Sequence, residues 1–104
     1  MIRQFDVVAN PDNVEAPYRP YLVVLQSDLV SGLTSTIVAP LVPRGDMTGA
    51  RRLNPVLVVE SHEYWLATHE LFVIDARMLN RPVGNVASER DAIIAALDVL
   101  FTGF

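Results

Sequence analysis

One stretch of this sequence combines a helical period with an aromatic end, and it limits the folds that the chain can adopt. Residues 88–104, SERDAIIAALDVLFTGF, repeat apolar side chains every three to four positions, which is the spacing of one helix face. Ser88 with Asp91 three residues later predicts an N-cap, and Gly103 predicts the helix end. We therefore predict a C-terminal helix with an apolar tail. Its own domain, a second copy of the chain or another protein is expected to cover that tail.

The rest of the sequence predicts strands. Short β-branched and apolar runs alternate with Pro, Gly, Asn, Ser and Asp. The runs that we predict as strands are 4–8, 21–26, 34–42, 56–60, 63–68 and 71–75. We expect a hairpin around Ser61-His62, an edge or bulge at Pro40, and a loop over 77–86. Strands first and a helix last favour an α+β fold, in which an antiparallel sheet, curled or barrel-like, packs against one helix.

Composition narrows the possible functions. The length of 104 residues predicts a single domain spanning 1–104. Cysteine is absent, which excludes disulfides and thiolate chemistry. The net charge is −4 and every basic residue is Arg, so direct binding to nucleic acid is disfavoured. The sequence has no signal-peptide pattern and no apolar run of membrane-spanning length. We expect a cytoplasmic protein with no membrane partner.

Residues that could carry chemistry do not form an organised site. The candidates for a zinc site are two histidines and nearby glutamates, namely His62, His69, Glu60, Glu63 and Glu70. We predict them on hairpin and turn positions that do not converge, whereas zinc needs at least three suitably placed ligands. Ser27-Asp28 with either histidine could form a hydrolytic triad, but no G-x-S-x-G segment accompanies them. We therefore predict no catalytic residue, metal or cofactor, and rank a small hydrolase last.

Two features suggest a second buried surface. The hydrophobic fraction of 51% is high for a small domain. The helix carries Ala92, Ala95 and Ala96, whose small side chains would let a second copy approach closely, so we predict a homodimer. Trp65, the single tryptophan, is either a core or interface filler or a binding hot spot.

Four segments, taken together in order and spacing, resemble the CcdB-type toxins. They are LVVLQSDLV at 22–30, IVAPL at 37–41, LNPV at 53–56 and AALDVLFTGF at 95–104. The most specific parts are Gln-Ser-Asp and the Phe-x-Gly end, and the resemblance spans nearly the whole chain. It implies a homodimer in which each copy is an SH3-like antiparallel sheet, or partial barrel, with one C-terminal helix.

The same resemblance implies a non-enzymatic toxin of a toxin–antitoxin system. Such toxins bind the A subunit of DNA gyrase and trap its complex with cleaved DNA. A CcdA-like antitoxin neutralises the toxin, and the two together repress their operon, so the toxin meets DNA only indirectly through the antitoxin. By regional analogy, the antitoxin contacts are expected at loops 11–20 and 44–52 and at the helix end.

The resemblance also assigns gyrase-binding positions, one of which is the family's buried phenylalanine, Phe101. The assigned residues are Leu29, Val30, Asp98, Phe101, Thr102, Gly103 and Phe104. Asp98 replaces the usual Asn, and Thr102 replaces a Trp that lies against an arginine of gyrase. Threonine provides neither the ring area nor a cation–π contact of about 0.5–2 kcal/mol. The alternative is therefore a CcdB-fold binding or regulatory protein with weak or no gyrase poisoning.

Overall fold

A curled antiparallel sheet followed by one helix makes up the structure, a computed structural model that describes residues 2–30 and 32–103. Short 3₁₀ turns connect several elements. Within the described residues the strands are β1 (Asp6–Ala9), β2 (Tyr21–Val24), β3 (Ser35–Pro43), β4 (Val56–Val59), β5 (His62–Leu66), β6 (Phe72–Asp75) and β7 (Gly84–Asn85), and the α-helix is α1 (Arg90–Thr102).

The strands form a nearly closed barrel. Their order is β4-β5-β3-β2-β1-β7, with β6 also paired to β3, and each of these pairs is antiparallel. Parallel strands would need long crossover connections, which the short loops here do not provide. The predicted α+β fold, an SH3-like sheet with a C-terminal helix, is confirmed.

Strand β3 is the centre of the sheet, although it contains a proline. It pairs with β2 on one side and, on the other, with β6 over Ser35–Val38 and then with β5 over Leu41–Pro43. Pro40 lies in the interval between these two ladders, and its carbonyl accepts from the Ala67 amide at 2.9 Å. Its missing N–H faces the same interval, so no ladder bond is lost. The predicted edge position is therefore wrong.

Two hydrophobic clusters bury the central strands from both sides. Successive residues of β2 alternate between the clusters, with Val23 in one and Leu22 and Val24 in the other. A run that is apolar at every position suits a strand covered on both faces. Helix α1 closes the larger cluster with its buried residue Ile93.

The predicted strands are found with shifted ends, and three of the differences have a clear physical reason. The first strand begins at Asp6, because Phe5 has φ of 68°, which interrupts extended backbone. The β4–β5 turn is Glu60-Ser61, both at positive φ, so His62 opens β5 and is not in the turn. The predicted loop 77–86 contains β7, which pairs with β1 at the sheet edge.

The helix begins one residue later than its cap signal predicts. Ser88 lies inside a 3₁₀ turn, Ala87–Glu89, and Glu89 is the N-cap without a side-chain capping bond. Asn85 holds this turn instead, since its Oδ1 accepts from the Ala87 amide at 2.8 Å. The Ser88 N-cap is therefore wrong. The predicted end is confirmed, because Gly103 adopts φ of 81° at the C-cap.

Candidate functional site

A 3₁₀ turn after β2 presents Leu29 to solvent. This turn, Asp28–Val30, leaves the Leu29 side chain 96% exposed and Val30 47% exposed. The two preceding side chains hold it from within. Gln26 Nε2 donates to the Val30 carbonyl at 3.0 Å, and the Leu29 amide donates to Ser27 Oγ at 3.1 Å. The exposed leucine therefore projects from a braced turn.

Asp28 fastens the same turn to the start of the chain. Its Oδ1 accepts from the Gln4 amide at 2.9 Å, and its Oδ2 lies 3.4 Å from Arg3 Nη2. Gln4 adds a bond from its own side chain to the Leu25 carbonyl at 3.0 Å. All three residues of the Gln-Ser-Asp segment thus have structural partners. The contribution of Gln4 could not be read from the sequence, because its partners lie more than twenty residues away.

The helix end is the second exposed apolar group. The Phe101 side chain is 69% exposed, so the expectation that it is buried does not hold in a single chain. Thr102 Oγ1 donates to the Asp98 carbonyl at 2.7 Å. The Gly103 amide donates to the carbonyls of Asp98 and Val99 at 3.2 and 3.1 Å, which satisfies the last turn. Asp98, Thr102 and Gly103 are exposed, and Phe104 lies outside the described residues.

The Leu29 turn lies near the start of helix α1, whereas Phe101 lies near its end. Asp28 and Arg90 line one depression of about 410 Å³ at the helix start. Phe101 follows Arg90 by eleven residues, or about 16 Å of helix. Among the described hydrogen bonds, none joins the Leu29 turn to the helix end. A single chain therefore presents two exposed apolar groups, one at the Leu29 turn and one at the helix end.

The small-residue face of the helix is partly used by the core. Ala96 lies on the side of α1 that faces the core and is completely buried, so a second copy could not reach it. Ala92, Ala95 and Leu100 are half-buried. The sequence argument for a dimer therefore loses one of its three alanines, and the homodimer stays a prediction.

A paired arginine and glutamate fix the 10–20 loop. Arg19 Nε and Nη2 donate to the two carboxylate oxygens of Glu70 at 2.6 and 2.8 Å. These hydrogen bonds hold the pKa of Glu70 below its ordinary value and raise that of Arg19, with burial opposing both shifts. The bidentate geometry is the strong form of this pair. It joins the loop to the 3₁₀ turn Thr68–Glu70.

The histidines have structural partners and do not converge. His62 Nδ1 lies 3.0 Å from the Glu60 carbonyl oxygen, and His69 Nδ1 lies 3.2 Å from Asn54 Nδ2. No group of three or more His, Cys, Asp or Glu in residues 2–30 and 32–103 could hold a metal ion. Asn54 is one of four buried polar residues in the described part of the chain, and it was not singled out from the sequence. It is buried inside the 53–56 segment.

Trp65, on β5, packs against residues 44–49. Its Nε1 donates to the Arg44 carbonyl at 2.9 Å, and the Arg44 guanidinium lies 4.6 Å from the ring centroid. Gly49 touches the ring so closely that a Cβ there would lie 2.3 Å from Trp65 Cε3. The tryptophan thus fastens residues 44–49 to β5.

Comparison with known proteins gives one family. A family model described as CcdB protein matches residues 4–103, a range that includes both exposed groups. No curated protein matches the chain at a significant level. In the described part of the chain, no helix is long and apolar enough to cross a membrane.

Proposed function

Because the chain belongs to the CcdB family, we propose that it is a toxin that binds the A subunit of DNA gyrase and traps the enzyme on cleaved DNA. Membership of this family makes the chain a toxin of a toxin–antitoxin system. The observation that supports the target is the exposure of Leu29 and Phe101 on rigid supports. Large apolar side chains held in place lose little entropy when a partner covers them. The toxin acts by binding and without a catalytic step.

A homodimer would combine the two exposed apolar groups. Leu29 and Val30 belong to the turn near the helix start and Phe101 to the helix end, and a twofold mate supplies a second set of both groups. Half-buried apolar residues near the helix end, such as Val99 and Leu100, give such a mate a surface to cover. Isologous pairing of this kind is the commonest form of self-association.

The partner that neutralises the toxin is a CcdA-like antitoxin in the cytoplasm. The net charge of −4 disfavours direct contact between this chain and DNA. The antitoxin therefore provides the DNA-binding part of the repressing complex. Loops 11–20 and 44–52 and the helix end are the regions proposed to contact it.

The second candidate function is that of a CcdB-fold binding or regulatory protein that poisons gyrase weakly or not at all. One contact favours it. The Thr102 hydroxyl is already bound to the Asp98 carbonyl, so a partner meets mainly its methyl group. Exposed Asp98 adds a negative charge beside it. A charge that a partner covers without pairing costs affinity. Poisoning is therefore expected to be weaker than in relatives with Trp and Asn at these positions.

Binding of the purified gyrase A subunit, measured by biolayer interferometry, tests the proposal. Leu29→Ser and Phe101→Ser should each weaken binding by about tenfold or more, because each removes a large apolar contact. Val58→Ser is the matched control, since Val58 is 59% exposed on β4, outside the proposed site. Growth arrest on induced expression distinguishes poisoning from mere binding. A wild-type chain that does not bind this gyrase component refutes the assignment of the target.

A further inference from the structure

The Leu29 turn is held in place without a buried side chain. None of its residues, Asp28–Val30, is buried, so packing in the core does not fix its orientation. Bonds with its immediate neighbours shape the turn locally. Among the described hydrogen bonds, only those of Asp28 to Gln4 and Arg3 connect it with a distant part of the chain. The orientation of the turn therefore depends on how firmly the start of the chain is held.

Asn85, on β7, holds Gln4 from the other side. Its Nδ2 donates to the Gln4 carbonyl at 3.2 Å and to Asp6 Oδ1 at 2.9 Å, while its Oδ1 accepts from the Ala87 amide at 2.8 Å. Gln4 thus bonds to Asp28 through its backbone N–H and to Asn85 through its carbonyl. The amide of Asn85 has one suitable orientation, because the reverse would bring its oxygen against two other oxygens. These bonds form a continuous chain from β7 to the Leu29 turn.

The segment that carries this chain of bonds has a strained backbone. Phe5 is buried and has φ of 68°, a region that residues other than glycine rarely adopt. Asp6 closes the segment, since its Oδ2 accepts from the Arg3 amide at 2.7 Å and its own N–H donates to the Arg3 carbonyl at 3.0 Å. Asn85 is the second donor to this buried carboxylate, and loss of a donor to a buried charge is costly. Strain of this kind persists where surrounding contacts over-determine it, and it is concentrated at functional sites.

We infer that Asn85 is a positioning residue for the partner that binds Leu29. It acts through Gln4 and Asp28, and because it also holds the 3₁₀ turn before α1, it fixes the Leu29 turn relative to the helix. An apolar side chain that is already oriented loses little freedom on binding. One that is in the binding orientation only part of the time binds more weakly in proportion to that fraction. The inference rests on the proposed function, since the gyrase A subunit is taken as the partner.

Two measurements on Asn85→Ala test this role. Binding of the gyrase A subunit, followed by biolayer interferometry, should weaken about three- to tenfold, the factor expected if the turn keeps its orientation for about a third to a tenth of the time. The ¹⁵N order parameter of the Leu29 amide should fall from about 0.85 toward 0.6, because the turn becomes mobile. Asn80→Ala is the matched control and should change neither value, since Asn80 is an exposed asparagine in the connection before β7.

A double-mutant cycle separates the chain of bonds from independent effects. Asp28→Ala should weaken binding by a similar factor, and combining it with Asn85→Ala should add little further loss, because both changes break the same chain. Asn85→Ser replaces Asn85→Ala if that variant does not fold. A serine hydroxyl still accepts from the Ala87 amide, but it is too short to reach the Gln4 carbonyl.

Three outcomes overturn the inference. The first is wild-type affinity in the Asn85 variants. The second is a weaker affinity with an unchanged order parameter for Leu29, because Asn85 would then contact gyrase directly. The third is losses that multiply in the double variant, because Asn85 would then act apart from Asp28. A wild-type chain that does not bind the gyrase A subunit refutes the proposed function instead, and the order parameter then decides whether Asn85 holds the turn.

Discussion

Arg19 and Glu70, 51 positions apart in the sequence, form a two-bond ion pair with donor–acceptor distances of 2.6 and 2.8 Å. The pair connects a proline-rich loop to the turn that follows β5. Each side chain is about one-third exposed, at 31% and 32%, so solvent screens part of the attraction. It is the most favourable ion-pair geometry in the described part of the chain.

Glu70→Gln should lower the free energy of unfolding by about 1 kcal/mol at pH 7. The folded-state pKa of Glu70 lies below its ordinary value of 4.5, so this stability is present above pH 4.5 and is lost as pH falls through the folded pKa. Urea unfolding at pH 7 and at pH 3, at one protein concentration, measures the difference. The exposed Arg44–Glu63 pair gives the control Glu63→Gln, for which a smaller loss is expected. A loss for Glu70→Gln that is equal at both pH values contradicts the assignment.

Asn54→Ala should be among the most destabilising polar substitutions. The buried amide accepts from the Ala50 N–H and donates to the Leu66 carbonyl, both at 2.9 Å. Removing it leaves the Ala50 N–H without this acceptor and leaves the Leu66 carbonyl with only the Thr68 hydroxyl at 3.4 Å, at a cost of about 2–3 kcal/mol. A thermal melt followed by circular dichroism should show a fall in Tm of about 10–20 °C. Asn80→Ala, at an exposed position, should change Tm little.

Gly49→Ala should disturb the single tryptophan. The new methyl group would overlap the Trp65 ring, which its bond to Arg44 prevents from moving freely. Overpacking of this kind costs about 1–3 kcal/mol. Denaturant unfolding gives the loss, and tryptophan fluorescence reports the altered ring environment. The matched change Gly45→Ala meets no atom within 4 Å and should leave both signals unchanged.

Thr102→Trp should raise the affinity for the gyrase A subunit. An indole at this exposed position adds ring area and a cation–π contact of about 0.5–2 kcal/mol, or about two- to thirtyfold in Kd. Thr102→Leu adds apolar area without the cation–π contact and should give a smaller gain. If neither variant binds more tightly than wild type, the explanation for weak poisoning is wrong.

The Asp75 carboxyl should titrate at an unusually low pH. The Arg77 side chain and then its backbone amide donate to this carboxylate, and they lower the pKa of Asp75 from 3.8 to about 2. An NMR pH titration of the carboxyl carbon measures this value. In Arg77→Gln the pKa should move back toward 3.8, because the strongest donor is lost. An unchanged pKa would show that the backbone amide alone sets it.

Much of the fold could be predicted from short-range patterns. Six apolar runs became β1 to β6, and the helical period over residues 88–104 became α1. The misses have physical causes. Two residues of β7 are too few to show a period, and the start of α1 follows a 3₁₀ turn held by Asn85. Pro40 is tolerated because β3 changes partner from β6 to β5 at this point. These partners are distant in sequence, so the residues around Pro40 do not reveal them.

The candidate site was only partly readable from the sequence. The conformation that exposes Leu29 depends on local bonds made by Gln26 and Ser27, which lie within one short segment of the sequence. The contacts of Asn85 were not predicted. Its partners Gln4 and Asp6 lie 81 and 79 positions earlier in the sequence, and the pairing of β7 with β1 brings them together.

Pro40 restricts how this sequence can vary in length. Insertion of one residue early in β3 would shift Pro40 by one position in the ladder. Pro40 would then face a neighbouring strand at a position where a backbone N–H must donate, and proline has none. Every later side chain of the strand would also exchange interior for exterior. Both faults arise together, so single-residue insertions and deletions should be tolerated in the connecting loops and rejected in the central strand.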